Sequence, residues 1–506
     1  MLSLDLTDTT AGKAPVDALV IGIAQGQDGP TLAPGAESLD KAMKGKLLAA
    51  LIALGATGDE GEVTKLATLG TAPMAVIAAA GLGRSDDSGR FGSESVRRAS
   101  GAAVRSLAGK SLIGSTLGLV NGGDDATLRA AGEGALLGAY AFDRYRTVSQ
   151  NGRKPQAESV ALIAPKPRDR AAKAAVKRSV VVAAAVHLAR DLVNTAPNDL
   201  HPVELAAAAQ AAAKRAGITA RVLDEKALHR EGFGGILAVG TGSVNPPRLV
   251  HLTYRGRGAK TSLAVVGKGI TFDSGGLSIK PSAAMHQMKS DMAGAAAMVA
   301  AVTAAAELKL ALDIDAWVPM AENMPGGGAY RPSDVVTMYG GRRVEVLNTD
   351  AEGRMVLADA IVRAAEDAPD YLVETSTLTG AQVVALGHRV AGVMGDPALC
   401  QRIEAAGERS GEPMWTMPLP DDVRRAMDSP IADISQINAR MDKSAGMLAA
   451  GTFLAEFVPD GLAFAHIDIA GPSYNSQSPY GYVPTGGTGV PVRTLLELME
   501  DLSGNG

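Results

Sequence analysis

Short apolar runs of strand length alternate with longer, Ala-rich stretches of helical composition over almost the whole chain. This alternation confines it to an α/β architecture with much parallel strand pairing. In the first third, residues 18–24, 74–80, 116–120 and 160–164 read as strands, and 38–53, 94–107 and 126–145 as helices. The pattern resumes with a helix at 202–216 and strands near 220–223, 249–254, 263–266, 314–319, 371–374 and 463–469. Helices at 292–308, 355–365, 447–457 and 492–502 accompany them. A chain of 506 residues exceeds the roughly 250–300 that one core serves, so two domains are expected. The basic stretch Pro165-Lys166-Pro167-Arg168-Asp169-Arg170 marks their boundary. Residues 1–165 then form a smaller N-terminal α/β domain. Residues 166–185 are a linker and the start of a bridging helix over 171–193. Residues 186–506 form a larger α/β domain whose mixed, mostly parallel sheet is covered by helices.

Hydrophobic residues make up 46% of the chain and aromatics only 4%, so the cores must be built from Ala, Val, Leu and Ile. The net charge of −5 is spread without long runs of one sign, which argues against a general nucleic-acid surface. Cys400 is the single cysteine, which excludes an internal disulfide and any Cys-rich zinc site. It reads as a small buried side chain rather than a nucleophile. The first residues lack the positive start and apolar core of a signal peptide. The most apolar stretches, 180–188 and 293–306, fall short of the roughly 20 residues a membrane span needs. A soluble, cytoplasmic protein without a membrane partner is expected. Gly81-Leu82-Gly83 after a strand has the look of a phosphate-binding turn but lacks the full glycine fingerprint, and reads as a plain turn.

The segment Asn348-Thr349-Asp350-Ala351-Glu352-Gly353-Arg354 carries the most chemistry. If extended, it turns Asp350, Glu352 and Arg354 to one face, where two carboxylates and a fixed cation suit a divalent cation with an anion beside it. The same pattern also fits a charged surface loop. Upstream, Gly267-Lys268-Gly269-Ile270-Thr271-Phe272-Asp273-Ser274-Gly275-Gly276 follows an apolar run, which puts Lys268 and Asp273 just past a strand's carboxyl end. Open α/β sheets bind ligands there. Lys280 follows Asp273 closely, and Asp291 opens an Ala-rich helical stretch, where a capping role is the plainer reading. None of the seven His forms a metal-binding pair pattern, so a metal site must rest on oxygen ligands with Lys as the possible nitrogen donor. Such donors suit Mg²⁺ and Mn²⁺, and Zn²⁺ also accepts them. Clustered acids repel one another unless cations sit among them. Two divalent ions about 3.5–4 Å apart would relieve that cost.

The order Lys268, Asp273, Lys280, Asp291 and Asn348 to Arg354 resembles the leucyl (cytosol) aminopeptidase family. The likeness continues in Asn194-Thr195-Ala196-Pro197-Asn198, in Met285-His286-Gln287-Met288-Lys289-Ser290-Asp291-Met292 and in Thr377-Leu378-Thr379-Gly380-Ala381, covering roughly residues 185–495. The resemblance implies a dinuclear metallo-exopeptidase that removes N-terminal Leu and other apolar residues from peptides by a two-metal activated water. It implies a tighter metal held by Lys268, Asp273, Asp291 and Glu352, and a more exchangeable one held by Asp273, Asp350 (side chain and carbonyl) and Glu352. Mn²⁺ or Zn²⁺ is implied, with Mg²⁺ also compatible. As a ligand Lys268 must be neutral, and its deprotonation at pH 7 costs about 4.6 kcal/mol. By the same resemblance Lys280 stays protonated and stabilises the oxyanion, and Arg354 holds a bicarbonate ion that acts as general base. The backbone N–H of Leu378 meets the substrate, and Met288, Thr377, Gly380 and Ala470 line the pocket for the first side chain. Ser473 departs from the family, standing where some members carry Met, which leaves the depth and polarity of that pocket open. A homohexamer is implied, with an assembly or regulatory role for residues 1–165. Some relatives of this family bind DNA, but the near balance of charge in the N-terminal third does not favour it. A phosphatase is the other rival, yet neither a P-loop nor a Gly-x-Ser-x-Gly elbow is present.

Overall fold

The computed structural model describes residues 2–150, 152–442 and 444–504. Two compact units are present, Met1–His187 with Ser476–Thr485, and Leu188–Asn475 with Gly486–Gly506. The division falls inside the long helix Arg170–Asn194.

The first unit is built on a seven-stranded sheet. Its spatial order is Ser3–Thr7, Ser159–Ile163, Leu112–Ser115, Ala18–Gly26, Val76–Gly81 and Val63–Ala67, with Gly29–Leu32 folded back on Ala18–Gly26. The four pairings among its inner strands and with Ser3–Thr7 are parallel. Leu19, Ile21, Ile23 and Ile77 bury one face against Leu39, Leu47 and Leu51. Three sequence expectations are corrected here. Residues 116–120 are not a strand but enter the 3-10 segment Leu117–Gly122, because Asn121, Gly122 and Gly123 take positive φ and cannot extend. The helix expected over 38–53 is two helices, Glu37–Ala42 and Leu47–Ala53, broken where Lys44 and Gly45 turn left-handed. The helix expected to reach residue 145 ends at Gly138. The plain reading of Gly81-Leu82-Gly83 has a packing reason, since a Cβ at Gly81 would lie 1.8 Å from the Asp59 carbonyl oxygen.

The second unit carries a nine-stranded mixed sheet in the order Met414–Thr416, Ala391–Gly395, Ala463–Asp468, Tyr371–Ser376, Ser262–Gly267, Asp313–Asn323, Arg248–Arg255 and Thr219–Leu223. The strand Gly269–Asp273 also pairs with Asp313–Asn323. Pairing is parallel through the centre and antiparallel on either side of it, and the edge pair Ala391–Gly395 with Met414–Thr416 is parallel again. Helices Ala293–Leu308 and Gly353–Ala365 are almost wholly buried, as the near-continuous apolar runs of the parallel strands require. Small side chains bring the first of these helices very close to the sheet. A Cβ on Gly294 would lie 2.2 Å from the Thr375 carbonyl oxygen and 3.0 Å from the Lys268 nitrogen.

Counted with its preceding 3-10 turn, Met285–Leu308 is long and apolar enough to cross a membrane, which corrects the expected shortfall. Its apolar window is 83% buried inside the protein, so it packs as a core helix. Substituting Gly294→Ala should lower stability by about 1–3 kcal/mol, because the added methyl must push this helix off the strand ends. Urea unfolding of the variant beside the parent checks this, and an unchanged midpoint would refute the close approach.

Candidate metal centre

The central strands of the second unit end on polar residues at one edge of the sheet. Lys268 follows Ser262–Gly267, Asp273 closes Gly269–Asp273, Asn323 closes Asp313–Asn323, Thr377 follows Tyr371–Ser376, and Asp468 closes Ala463–Asp468. Lys268 and Asp273 were expected just past one strand's carboxyl end. Lys268 does so, but Gly269–Asp273 is a further strand that continues along Asp313–Asn323 in the register of the first and carries Asp273 to its end.

Asn348 to Arg354 is not extended either. Residues 349–350 form a turn, Glu352 is already in helical conformation (φ −70°, ψ −36°), and Arg354 lies in the first turn of Gly353–Ala365. Convergence of the acids therefore comes from a turn running into a helix, not from strand alternation. Gln436 holds this shape. Its side-chain oxygen accepts from the Leu347 and Asn348 N–H groups at 2.7 and 2.9 Å, and its Nε2 donates to the Ala351 carbonyl at 3.1 Å. Asp291 is not the helix cap expected of it. The helix begins at Ala293 after Met292, without a side-chain cap, and Asp291 turns inward.

Asp273, Asp350 and Glu352 each offer one carboxylate oxygen within 4.8 Å of the others. Asp291 joins them through Lys268, whose Nζ lies 2.8 Å from both Asp291 Oδ2 and Glu352 Oε1 and donates to the Thr377 carbonyl at 3.0 Å. Lys280 spans the other side, 2.8 Å from Asp273 Oδ2 and 2.5 Å from Asp350 Oδ1. Asp273, Asp291 and Glu352 are only 2%, 6% and 1% exposed. Burial, aided by the neighbouring Asp273, pushes the Glu352 carboxyl up to about 8. Burial likewise lifts Asp291 to about 6 against the pull of Lys268, and raises Asp350. Burial alone would favour neutral lysines, yet the surrounding carboxylates more than offset it and hold both Lys268 and Lys280 above the ordinary range.

These donors fit a divalent cation. Buried hard oxygens converge, ammonium groups already lie between them, and Glu352 Oε2 has no hydrogen-bond partner among the described residues. Arg354 is buried beside them. Its Nη1 donates to the Gln436 carbonyl at 2.8 Å, while its Nε has no partner among the described residues. Burial brings this guanidinium down to about 10, opposed by Glu352 and Asp468. An anion would satisfy the free Nε–H.

A cavity of about 360 Å³ opens beside Asp350 and Arg354, lined also by Asn348, Leu378, Gly380 and Met441. Of the residues expected around the substrate, Leu378 and Gly380 line it, whereas Met288, Thr377 and Ala470 do not. Thr377 points into the acid cluster, its Oγ1 donating to Asp291 Oδ1 at 2.8 Å. Met288 is half-buried in the turn Met285–Ser290, and Ser473 is buried away from the cavity. The Leu378 N–H, expected to meet the substrate, instead donates to Asp468 Oδ1 at 3.1 Å. Asp468 also accepts from Thr379 Oγ1 and the Ala470 N–H, so one buried carboxylate ties both loops together. Asn323, Gln436 and Asp468 were not singled out in the sequence. A polar residue closing an apolar strand marks the first and last, but no local signal marks Gln436.

Residues 187–496 match the catalytic-domain model of the cytosol aminopeptidase family, and residues 20–149 match its N-terminal-domain model. The chain is 51% identical over 517 residues to a probable cytosol aminopeptidase of Streptomyces coelicolor, covering 99% of this chain and 98% of the relative. A probable cytosol aminopeptidase of Streptomyces griseus is 52% identical over 510 residues, covering 98% of each. Among solved structures, the bottromycin maturation enzyme BotP is similar with a TM-score of 0.82 at 38% identity, covering 97% of this chain and all of that one. The same enzyme in complex with Mn gives 0.83, also at 38% identity, covering 96% and 100%. The chain belongs to the cytosol aminopeptidase family and is a metal-dependent aminopeptidase, a hydrolase acting on peptide substrates.

Proposed function

We propose that this protein removes N-terminal Leu and other apolar residues from peptides at a dinuclear centre formed by Lys268, Asp273, Asp291, Asp350 and Glu352. The observation that carries this reading is the gathering of Asp273, Asp350 and Glu352 oxygens within 4.8 Å, with Asp291 drawn in through Lys268. Lys268, Asp273, Asp291 and Glu352 hold the tighter ion, and Asp273, Asp350 and Glu352 the more exchangeable one. Mn²⁺ is favoured by the manganese complex of the similar BotP structure, and Zn²⁺ and Mg²⁺ suit the same donors. When bound, the ions supply Lewis acidity to the scissile carbonyl and lower the pKa of an attacking water.

The chain's own residues supply the rest. Lys280, 21% exposed and held protonated by its carboxylate neighbours, stands at the open side of the cluster and stabilises the oxyanion that develops on the peptide carbonyl. Arg354 offers its Nε–H, unpartnered among the described residues, to bicarbonate, which serves as general base. Leu378 and Gly380 line the cavity beside Asp350 and Arg354, the Leu378 backbone facing substrate, and Met288, Thr377 and Ala470, which lie outside that cavity, are assigned to the first side chain's surroundings by the family resemblance alone. Selectivity for a free N-terminus follows from chemistry, since a neutral α-amine can join the donor set and a blocked one cannot. Residues 186–506 carry catalysis, and 1–165 serve assembly or regulation in a cytoplasmic homohexamer.

The deciding experiment pairs metal analysis with hydrolysis of leucine anilide and its N-acetyl form. Only the free amine should turn over, and Glu352→Ala or Asp291→Ala should reduce kcat/KM at least a thousandfold with the fold retained by circular dichroism. Near-parental activity in either variant removes its residue from the centre. Lys280→Ala should lower kcat about 10²–10³-fold while Mn²⁺ occupancy stays close to the parent's. Equal loss of metal and rate would make Lys280 a structural counter-ion instead. Glu352 and Asp291 bind protons up to about pH 8 and 6, and Lys268 must lose one to coordinate, so protons compete with the metal. Apparent Mn²⁺ affinity should therefore rise more than tenfold from pH 6 to pH 8. A flat titration would contradict the ligand set.

A further inference from the structure

Asn323 is completely buried at the carboxyl end of Asp313–Asn323, directly opposite Asp273 in the neighbouring strand. Its Nδ2 donates to Asp273 Oδ1 at 2.8 Å and to the Thr349 carbonyl at 3.0 Å. Both partners are acceptors only, so the orientation of the amide is forced: the nitrogen faces them and the oxygen faces away. On that far side the oxygen abuts Gly276, where an added Cβ would lie 2.8 Å from it. The backbone carbonyl of Asn323 accepts from the Ser274 N–H and Oγ at 3.0 and 2.7 Å, so the residue also fixes the chain leaving Asp273.

The consequence for Asp273 is geometric. Its Oδ1 is taken by Asn323 Nδ2 and by the Gly275 N–H at 2.9 Å, leaving Oδ2 to face Lys280 and the acid cluster. A neutral amide is the donor suited to this, since it fixes the rotation of the carboxylate without cancelling its charge. The second bond acts on the other half of the site. Thr349 immediately precedes Asp350, and its carbonyl is held by Asn323 together with the buried Tyr330 hydroxyl at 2.8 Å. One amide nitrogen thus spans the two segments that bring Asp273 and the Asp350–Glu352 pair together.

We infer that Asn323 is the positioning residue of the metal centre, presenting Asp273 through a single oxygen and clamping the Asp350–Glu352 turn against it. This rests on the ligand role proposed for Asp273. Asn323→Asp is nearly isosteric but replaces the shared donor by an oxygen, which repels both partners. Hydrogen-bond partners of metal ligands typically govern about 10–100-fold in affinity. In the full-length protein, free Mn²⁺ counted by electron paramagnetic resonance should show half-saturation shifted upward by about that factor. Peptidase activity should return to within several-fold of the parent at saturating Mn²⁺, which a merely damaged core would not allow. Melting in the presence of chelator checks folding. If the acid variant does not fold, Asn323→Ser, which is smaller and out of reach of both partners, should show the same displaced half-saturation. An unmoved half-saturation in a folded variant, or activity that stays low at full Mn²⁺ occupancy, overturns the inference. Asp273→Asn separates the two levels. If it too binds Mn²⁺ as the parent does, the proposed centre itself fails; if it loses Mn²⁺ while Asn323→Asp does not, only the role of Asn323 falls.

Discussion

Mutual repulsion among buried carboxylates is the constraint around which the catalytic unit is arranged. At 4 Å, two like charges cost about 4 kcal/mol at an effective dielectric of about 20, and the price rises as water is excluded. Asp273, Asp291 and Glu352 are nearly free of solvent, so the protein either protonates them or interleaves positive charge. Both occur. Glu352 is pushed up to about 8, and two ammonium groups lie between pairs of acids. Of the four acids only Asp273 closes a strand; Asp291, Asp350 and Glu352 are brought to it from a helix entrance, a turn and a helix start, which requires close packing of helix against sheet.

That close packing comes from small side chains rather than large ones. With few aromatics available, the sheet and its covering helices meet through Gly and Ala at near backbone contact, as Gly267 and Gly294 do beside Lys268. Close approach brings the start of Ala293–Leu308 down onto the strand ends, so Asp291, just ahead of that helix, reaches Lys268 across the sheet edge. The same small residues that lower the aromatic content are what let an acid from a helix entrance join one from a strand end.

Much of this was legible in the sequence and some was not, for physical reasons. Alternation of apolar runs with Ala-rich stretches identified the central strands and the long helices, because burial on both faces leaves little freedom of period. The converging acids were legible as a set, but not the path by which they converge. Glu352 starts a helix and Asp350 sits in a turn, a geometry dictated by long-range bonds from Gln436, some 80 residues away. Asn323 and Asp468 escaped notice because each is one polar residue at the end of a strand, which reads as an ordinary exit to a loop. Left-handed backbone at Lys44 and Asn121 broke elements that composition alone would have continued.

Charge balance links the remaining pieces of the proposed centre. Four carboxylates (Asp273, Asp291, Asp350, Glu352) face three cations (Lys268, Lys280, Arg354), leaving a single net negative charge when all are ionised. Two divalent ions would turn that into a net charge of plus three in a space with little water. Such an excess is as costly as the original repulsion, so loading must be coupled to the loss of positive charge or the gain of an anion. Lys268, buried between Asp291 and Glu352, would be the group to give up its proton, because a cation held by the same two carboxylates would supply the positive charge that its ammonium now provides. Arg354, at a helix start where the dipole already disfavours a cation and with Nε unpartnered, is placed to take the anion. The neutral-amine role proposed for Lys268 and the anion proposed for Arg354 would then be two parts of one electrostatic requirement of the proposed dinuclear centre.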